Sequence, residues 1–241
     1  MNPLLAVGQI DIRYALLMLL AMVVGAVLLR RSQGQLPLTW QQKLGIGIGA
    51  FCGAMLGAKL PFVLLDAEGF RSGAAWFSDG KTIMTGLVGA YLGVEVAKWS
   101  LEIRTKTGDS FAPPVAVMVG IGRVACFVGG CCFGQPTSLP WGMQFANAGD
   151  ILPRHPTQLY EAAFHFTAAA VLYDLRRRGI WQGQLAKAYI LAYLAYRFLT
   201  EFIRPELRVL GELTIYQWAA IVSAPIFILL WWADSRGVRE R

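Results

Sequence analysis

The 241-residue chain has little charge and only 2 histidines. Asp, Glu, Lys and Arg make up 15% of it, whereas a soluble domain carries about 25% charged residues. Scarcity of charge excludes an ordinary soluble domain, and the mean hydropathy of +0.48 indicates that lipid takes the place of water. The missing histidine pairs and the absence of repeated Cys-x-x-Cys spacing argue against a zinc module. We therefore expect no metal and no cofactor.

Long apolar runs fill the chain instead. Each approaches the ~20 residues that a helix needs to cross a hydrocarbon core, and backbone in lipid must be helical to satisfy its own hydrogen bonds. The sequence therefore predicts an all-α integral membrane protein, one multi-pass domain over residues 1–241 with about seven transmembrane helices. The predicted spans are residues 12–29, 45–65, 82–96, 114–128, 158–175, 184–203 and 215–232.

Basic residues fall mainly in alternate loops. The start of the chain lacks the Lys/Arg-rich segment and small-residue cleavage site of a signal peptide, so we expect the first run to be retained. Because positive charge stays on the cytoplasmic side, the amino terminus is predicted outside and the carboxy terminus inside. The formal charge of +7 then reflects topology and contact with membrane lipids, with no nucleic-acid partner. The inner loops carry Arg30, Arg31, Lys43, Lys98, Arg104, Lys106, Arg176, Arg177, Arg178, Arg236, Arg239 and Arg241; the outer loops carry Arg13, Arg71, Lys81, Arg154 and Arg208.

Glycine and proline punctuate the segments between and within these spans. Residues 134–156 form the longest outer segment and are predicted to be an ordered loop over a polar intramembrane cavity open to the outer face. Glycines four residues apart favour close helix–helix contact, at Gly53 and Gly57 and at Gly89 and Gly93. Gly130 and Gly134 have the same spacing, but close approach of a ligand is an equal alternative at Gly129 and Gly130.

Charged groups at membrane depth are expensive and usually face a cavity or a partner. Arg123 lies in the fourth run, and Glu161 begins the fifth. Tyr193, Arg197 and Glu201 recur every four residues in the sixth run and so share a helix face.

These charges have two interpretations. They could form a structural network of Arg123 with Glu161 and of Arg197 with Glu201. They could instead line a pocket for a phosphate head group, which the planar fork of arginine suits. Arg154, His155 and Tyr160 lie just before Glu161 at the outer end of the fifth run, where Pro156 suits the first turn of a helix and His155 or Thr157 could cap it. His155 is either a surface residue or part of that pocket.

Three of the 4 cysteines are clustered in sequence: Cys126, Cys131 and Cys132. Cys52 is expected to fill space between helices. The clustered thiols could be packing residues, a disulfide or, against their spacing, metal ligands. Because a nearby cation lowers a thiol's pKa, Cys131 or Cys132 beside Arg123 could also be a reactive thiolate.

Three blocks of sequence resemble the bacterial prolipoprotein diacylglyceryl transferases. Residues 122–134, GRVACFVGGCCFG, resemble the signature block of that family, and residues 153–161, PRHPTQLYE, are similar to its Arg-His-Pro-Ser-Gln-Leu-Tyr-Glu. The family's late Tyr, Arg, Glu-Phe and Arg pattern matches Tyr193, Arg197, Glu201, Phe202 and Arg204. Order and spacing agree over about residues 85–204, half of the chain.

The resemblance implies a phospholipid-dependent transferase in the bacterial plasma membrane. The family moves the diacylglyceryl group of phosphatidylglycerol to the lipobox cysteine of a precursor protein, forming a thioether and releasing glycerol 1-phosphate. Catalytic roles then fall on Arg123, Arg197, Glu201, His155 and Cys131. Substrate-binding roles fall on Arg154, Tyr160, Glu161, Tyr193, Gly129, Gly130, Gly134 and Cys126.

Several polar residues of the family are replaced. The histidine of its His-Gly-Gly is Met84 here, two asparagines are Cys126 and Gly129, a glutamate is Cys131, and Arg-Trp-Tyr-Gly reads Arg13-Tyr14-Ala15-Leu16. Two alternatives therefore stay open. One is a paralogue with the same lipid pocket and another acceptor, and the other is a non-enzymatic lipid-binding or thiol-redox membrane protein.

Overall fold

The computed structural model describes residues 11–77 and 82–239. Lys81 and Arg241, used above for orientation, and the first ten residues, used for the signal-peptide interpretation, lie outside them. The described chain is mostly helical. Its α-helices are α1 Ile12–Gln33, α2 Trp40–Leu65, α3 Ala67–Ser72, α4 Ala74–Phe77, α5 Ile83–Ser100, α6 Gly108–Val128, α7 Thr157–Arg177, α8 Leu185–Thr200 and α9 Ile215–Arg239. Short 3₁₀ turns cover Ala146–Ala148 and Glu201–Ile203, and β1 Arg208–Leu210 pairs with β2 Leu213–Thr214 in an antiparallel ribbon.

Four helices in the described chain are long and apolar enough to cross a membrane. They are Ile12–Gln33, Trp40–Leu64, Gly108–Val128 and Ile215–Arg236. Helices α5, α7 and α8 lie at the other three predicted positions. Helix α8 is shorter, with 16 residues, and all three are made more polar by charged residues such as Glu95, Glu161 and Arg197. The prediction of a helical membrane protein is therefore confirmed at this level.

Several predicted boundaries were wrong. Helix α6 begins at Gly108 rather than residue 114, since it continues through Pro113 and Pro114, which membrane helices tolerate when neighbouring groups satisfy the freed backbone. Helix α8 ends at Thr200 and tightens into the 3₁₀ turn. The outer loop predicted to carry Arg71 contains the short helices α3 and α4. Asp66 caps α3 by accepting a 2.8 Å hydrogen bond from the Gly69 amide.

The chain folds into two compact units. Unit one contains the described residues through Gln35, Ser110–Ile180 and Ile203–Pro205, and so holds α1, nearly all of α6, the 134–156 loop and α7. Unit two contains Leu36–Asp109, Trp181–Phe202 and the residues from Glu206 onward, and so holds α2, α5, α8 and α9.

Glycines join α2 to α5 within unit two. A Cβ atom at Gly53 would collide with the carbonyl oxygen of Gly89, and one at Gly57 would collide with that of Thr85. A Cβ at Gly93 would likewise collide with the carbonyl oxygen of Gly49. Only hydrogen fits between these backbones, so the predicted glycine contact between the two helices is confirmed.

Substituting one of these glycines by alanine should destabilise unit two. We expect Gly53→Ala to cost about 1–3 kcal/mol, because the added methyl group meets rigid backbone. Gly47→Ala on the same helix is the matched control, since nothing lies within 4 Å of its Cβ position. Alanine there should be neutral or stabilising by up to about 1 kcal/mol through helix propensity. Thermal unfolding in detergent measures both variants, and equal melting temperatures would contradict the packing argument.

Candidate functional site

The carboxyl end of α6 folds back on itself at two glycines. The Gly130 amide donates to the Phe127 carbonyl and the Cys131 amide donates to the Cys126 carbonyl, both at 3.1 Å. Gly130 has φ +63°, the left-handed conformation that ends many helices. This Schellman arrangement brings together the side chains that flank it, here Cys126 and Cys131. Gly130 therefore ends a helix, and its spacing to Gly134 is not a helix–helix contact.

Three thiols meet at this turn. The Sγ atoms of Cys126, Cys131 and Cys132 all lie within 4.8 Å of one another. They are free thiols, so the disulfide alternative is wrong for this structure. Cys132 turns its side chain toward the others with φ 62°, a conformation that costs a non-glycine residue about 1–2 kcal/mol. Cys52, expected to fill space between helices, is exposed on α2 in unit two.

The thiols differ in their tendency to ionise. Hydrogen bonds from the thiols of Cys126 and Cys131 lower the pKa of Cys132, and the guanidinium groups of Arg123 and Arg204 lower it further. Hydrogen bonds to Cys126 and Cys132, together with burial, raise the pKa of Cys131. Of the two thiols proposed from sequence as a reactive thiolate, Cys132 is the more acidic.

The start of α7 holds the cysteine backbone. The Thr157 hydroxyl donates to the Cys132 carbonyl at 2.8 Å, and Nε2 of Gln158 donates to the Cys131 carbonyl at 2.5 Å. Both side chains are buried. The expectation that His155 or Thr157 caps α7 was wrong, because Pro156 is the cap residue and no side chain bonds the helix start. The Thr157 hydroxyl is engaged by the cysteine turn instead.

Glu161 is the centre of a buried ion-pair network in unit one. Its Oε1 lies 2.7 Å from Nη2 of Arg123, and its Oε2 lies 3.6 Å from Nη1 of Arg204. The His165 ring nitrogen Nε2 lies 3.8 Å from Oε1. The Glu161 side chain is 1% exposed and the two arginines are 8% and 5% exposed. Two guanidinium groups thus share one carboxylate, and the predicted Arg123–Glu161 pair is confirmed.

The 134–156 loop is ordered by strand-like hydrogen bonds. The Gly134 amide donates to the His155 carbonyl at 2.8 Å, and the His155 amide donates to the Gln135 carbonyl at 3.1 Å. Arg154 exchanges two backbone hydrogen bonds with Met143. Nε2 of Gln135 also donates to the Arg204 carbonyl at 3.0 Å. The loop therefore fixes the backbone of an arginine that binds Glu161.

Polar side chains of the loop form two groups. In the first, Nη2 of Arg154 lies 2.5 Å from Oδ2 of Asp150, and its guanidinium carbon lies 5.2 Å from the centre of the Phe133 ring. In the second, the Trp141 indole donates to the Tyr160 hydroxyl at 2.7 Å, and Nδ1 of His155 lies 3.4 Å from that hydroxyl. His155 is accordingly joined to Tyr160, a contact that the sequence did not predict.

A cavity of about 620 Å³ adjoins the cysteine turn. Gly129, Gly130 and Cys131 form one wall, and residues 143–147 of the loop form another. Nδ2 of Asn147 donates to the Gly129 carbonyl at 3.0 Å and so ties the two walls together. The backbone of Gly129 and Gly130 therefore lines this cavity.

Unit two holds the third set of predicted residues. Nη2 of Arg197 lies 2.8 Å from Oε2 of Glu201, and the Thr214 hydroxyl donates to Oε1 of the same carboxylate at 3.0 Å. The guanidinium carbon of Arg197 lies 5.3 Å from the centre of the Tyr216 ring. Tyr193 is buried one turn earlier on α8. The predicted Arg197–Glu201 pair is confirmed.

The structure thus groups the predicted residues by unit. Unit one contains Arg123, Cys126, Gly129, Gly130, Cys131, Gly134, Arg154, His155, Tyr160 and Glu161, whereas unit two contains Tyr193, Arg197 and Glu201. Sequence reasoning assigned no role to His165, Asn147, Gln158 or Thr214. His165 lies four residues after Glu161 and was detectable as a helix-face neighbour, but the other three act through contacts that no local spacing reveals.

Comparison with known proteins extends the resemblance over nearly the whole chain. The family model of prolipoprotein diacylglyceryl transferase matches residues 3–233. The phosphatidylglycerol–prolipoprotein diacylglyceryl transferase of Cupriavidus metallidurans is 33% identical over 77% of this chain and 73% of its own length. The enzymes of the same name from Clostridium tetani and Bordetella avium are 28% and 29% identical, over 87% and 93% of this chain and 86% and 88% of their own lengths.

Neutralising the buried carboxylate should destabilise the fold. We expect Glu161→Gln to cost about 3–5 kcal/mol, because it removes the charge that two buried guanidinium groups share. Asp174→Asn is the matched control on α7, since its 2.8 Å pair with Arg178 is exposed and should contribute less than about 1 kcal/mol. Unfolding in detergent compares the two variants, and similar losses in both would show that the network around Glu161 does not stabilise the protein.

Proposed function

The chain belongs to the prolipoprotein diacylglyceryl transferase family, and we propose that it transfers the diacylglyceryl group of a glycerophospholipid to a thiol acceptor. Phosphatidylglycerol is the donor and the lipobox cysteine of a precursor protein is the acceptor, as the names of its relatives indicate for those proteins. Transfer forms a carbon–sulfur bond and breaks the bond between the glyceryl carbon and the phosphate oxygen. The released glycerol phosphate keeps that electron pair, and the acceptor thiol loses its proton.

The same proposal includes the topology. Helices α1, α2, α5, α6, α7, α8 and α9 are the seven spans in the bacterial plasma membrane, with the amino terminus outside and the carboxy terminus in the cytoplasm. The 134–156 loop then lies at the outer face, and the cavity beside Gly129 and Gly130 opens there. The alternation of basic loops supports this orientation.

The observation that carries the proposal is the sharing of Glu161 by two guanidinium groups. Arg123 and Arg204 present planar, charge-assisted donors in a buried setting, where interaction with a phosphate is strong. A phosphate leaving group gains negative charge as its bond to carbon breaks, so donors placed in advance stabilise the transition state more than the ground state. Glu161 orients both arginines for that task.

Arg197 is assigned the same kind of task in unit two. Glu201, which also accepts from Thr214, fixes the direction of its guanidinium group. Tyr193 lies on the same face of α8 and supplies part of the lipid-binding wall. In unit one, Arg154, His155 and Tyr160 shape the entrance, and the backbone of Gly129 and Gly130 lines the cavity that receives the substrate. Gly134 instead packs against Ile203, His155 and Thr157, which a Cβ atom there would meet.

Cys131 does not carry the diacylglyceryl group in this proposal. Such an intermediate would be a thioether, and a second thiol could displace it only by expelling an alkanethiolate, a far poorer leaving group than a phosphate ester. Cys126 and Cys131, which replace an asparagine and a glutamate of the family, therefore act on the acceptor or its environment.

A paralogue acting on another thiol or lipid is the second candidate. It is favoured by the replacement of the family's polar residues by Met84, Cys126, Gly129 and Cys131. A non-enzymatic lipid-binding or thiol-redox protein would bind phospholipid without turning it over. The assay below separates these alternatives, because it follows the lipid group and the acceptor together.

Purified protein supplied with labelled phosphatidylglycerol and a lipobox peptide should transfer label to the peptide. We expect Arg123→Lys to lower kcat by about 10²–10³-fold, because lysine keeps the charge but loses the paired donors. Arg178→Lys, on the exposed end of α7, should leave transfer unchanged. Measuring the melting temperature of each variant separates lost chemistry from lost folding.

If the protein binds phospholipid but transfers no label to the peptide, the lipobox cysteine is not the acceptor. Label on another added thiol in that case would favour the paralogue. Full activity of Arg123→Lys would show that the paired hydrogen-bond donors of Arg123 are not needed for transfer.

A further inference from the structure

We propose that Cys126, Cys131 and Cys132 bind one Zn²⁺ ion as three thiolates, leaving a fourth coordination position for the acceptor thiol. The zinc site rests on the geometry of the thiols alone. Its role toward the acceptor rests on the proposed function. The sequence argued against zinc because the cysteines lack Cys-x-x-Cys spacing. In the structure, the turn at Gly130 after α6 brings the three thiols together without that spacing.

The thiols are spaced for a single ion. Zinc–sulfur bonds of about 2.3 Å in tetrahedral geometry separate the sulfur atoms by roughly 3.8 Å. The three Sγ atoms already lie within 4.8 Å of one another. Small side-chain rotations therefore suffice to close the site, and the backbone turn at Gly130 can stay as it is.

The chemistry of the three ligands selects the ion. Thiolates are soft ligands that favour zinc or copper(I) over magnesium, calcium or manganese. Structural zinc sites use four protein ligands, whereas catalytic sites use three and keep one position open. Three thiols beside a cavity therefore match the catalytic pattern. That cavity is lined by Gly130 and Cys131, so the fourth position is accessible to a substrate.

The protein holds the ligands in place from behind. Thr157 and Gln158 donate to the carbonyls of Cys132 and Cys131, and these buried contacts fix the backbone that carries two of the ligands. Supporting contacts of this kind orient the ligands of metal sites. Here the supporting residues lie on α7, a helix separate from the cysteine turn. They therefore hold the turn in place in addition to its own internal hydrogen bonds.

The surrounding charge suits an anionic site. Zn²⁺ with three thiolates carries one net negative charge. Two cations of the same unit lie nearby in the chain or through its contacts: Arg123, three residues before Cys126 on α6, and Arg204, which shares Glu161 with Arg123. The same two arginines are assigned above to the phosphate. In this proposal the acceptor thiol and the phosphate leaving group are therefore both near Arg123 and Arg204.

A disulfide is a poorer use of these thiols. The Cα atoms of adjacent residues are about 3.8 Å apart across a trans peptide, shorter than the ~4.4 Å that disulfides require, so Cys131 and Cys132 are poorly placed to pair. A disulfide from Cys126 to either neighbour would leave the third thiol unused.

In the proposed step the acceptor thiol binds the ion as a thiolate and releases its proton to solvent. A coordinated thiol is deprotonated outright, so the nucleophile forms without the family's missing polar residues. Its sulfur then attacks the glyceryl carbon, the carbon–oxygen bond breaks, and glycerol phosphate departs with the electron pair. The neutral thioether product is a weaker ligand and leaves the ion.

Metal analysis of the full chain tests the site. Reduced protein in detergent, loaded with Zn²⁺ and desalted, should retain one equivalent. Loading with Co²⁺ should give an intense thiolate-to-cobalt charge-transfer band. Cys126→Ser and Cys132→Ser should weaken binding by more than the ~10–100-fold that loss of a supporting residue causes. Cys52→Ser is the matched control and should bind like the unchanged protein.

The acceptor role has its own readout. A lipobox peptide should shift the cobalt band, and the same peptide with serine in place of cysteine should not. Three results would overturn the site: no retained metal in folded, reduced protein, a disulfide at Cys126, or binding by Cys126→Ser and Cys132→Ser that is as tight as in the unchanged protein. A cobalt band that the cysteine peptide leaves unmoved would overturn the open position.

These results are independent of the transfer assay. A shifted band without labelled peptide would keep the zinc site and reject phosphatidylglycerol transfer to the lipobox. Full transfer by verified metal-free protein would keep the transferase and reject the role of zinc in activating the acceptor thiol.

Discussion

Burial of the Glu161 carboxylate is the constraint on which unit one depends. A charge in a medium of low polarity must be paired, and this carboxylate is paired by arginines from two other parts of the chain, Arg123 on α6 and Arg204 after α8. The Arg204 backbone is in turn held by Gln135 of the outer loop. One carboxylate thereby ties α6, α7, the loop and the 203–205 segment together, and the same pairing assembles the donors assigned to the phosphate.

Local patterns predicted what depends on local physics. Apolar runs located the long helices, and four-residue spacing identified the Arg197–Glu201 pair and the glycines between α2 and α5, because helix geometry fixes those relations. The part that Arg204 plays at Glu161 was not foreseen, since Arg204 follows the predicted sixth span and was not counted among the charges at membrane depth. The length of α6 was missed because Pro113 and Pro114 normally suggest a boundary. Helices α3 and α4 were missed because they have only 6 and 4 residues, too few for a helical pattern to be recognised in the sequence.

The cysteines show the limit of spacing rules most clearly. In the sequence they lack the spacing of a zinc motif, a disulfide was one of several alternatives, and proximity of a cation drew attention to Cys131 and Cys132. In the fold, the end of α6 and the left-handed backbone conformation of Cys132 bring the three thiols together. Thr157 and Gln158 of α7 hold the backbone of Cys131 and Cys132 by hydrogen bonds. The three thiols thereby form one cluster, although no local spacing in the sequence relates all of them.

The turn at the end of α6 also limits which sequence changes can preserve the thiol cluster during evolution. Because the Schellman hydrogen bonds pair the residues at either end of a fixed interval, one residue gained or lost between Cys126 and Cys131 would send the second thiol to another face. Substitutions can replace the thiols one by one. An insertion or deletion between Cys126 and Cys131, in contrast, would break up the cluster. Two cysteines separated by four residues, with glycine before the second and a third cysteine after it, are therefore a pattern by which homologous chains with the same thiol cluster can be sought.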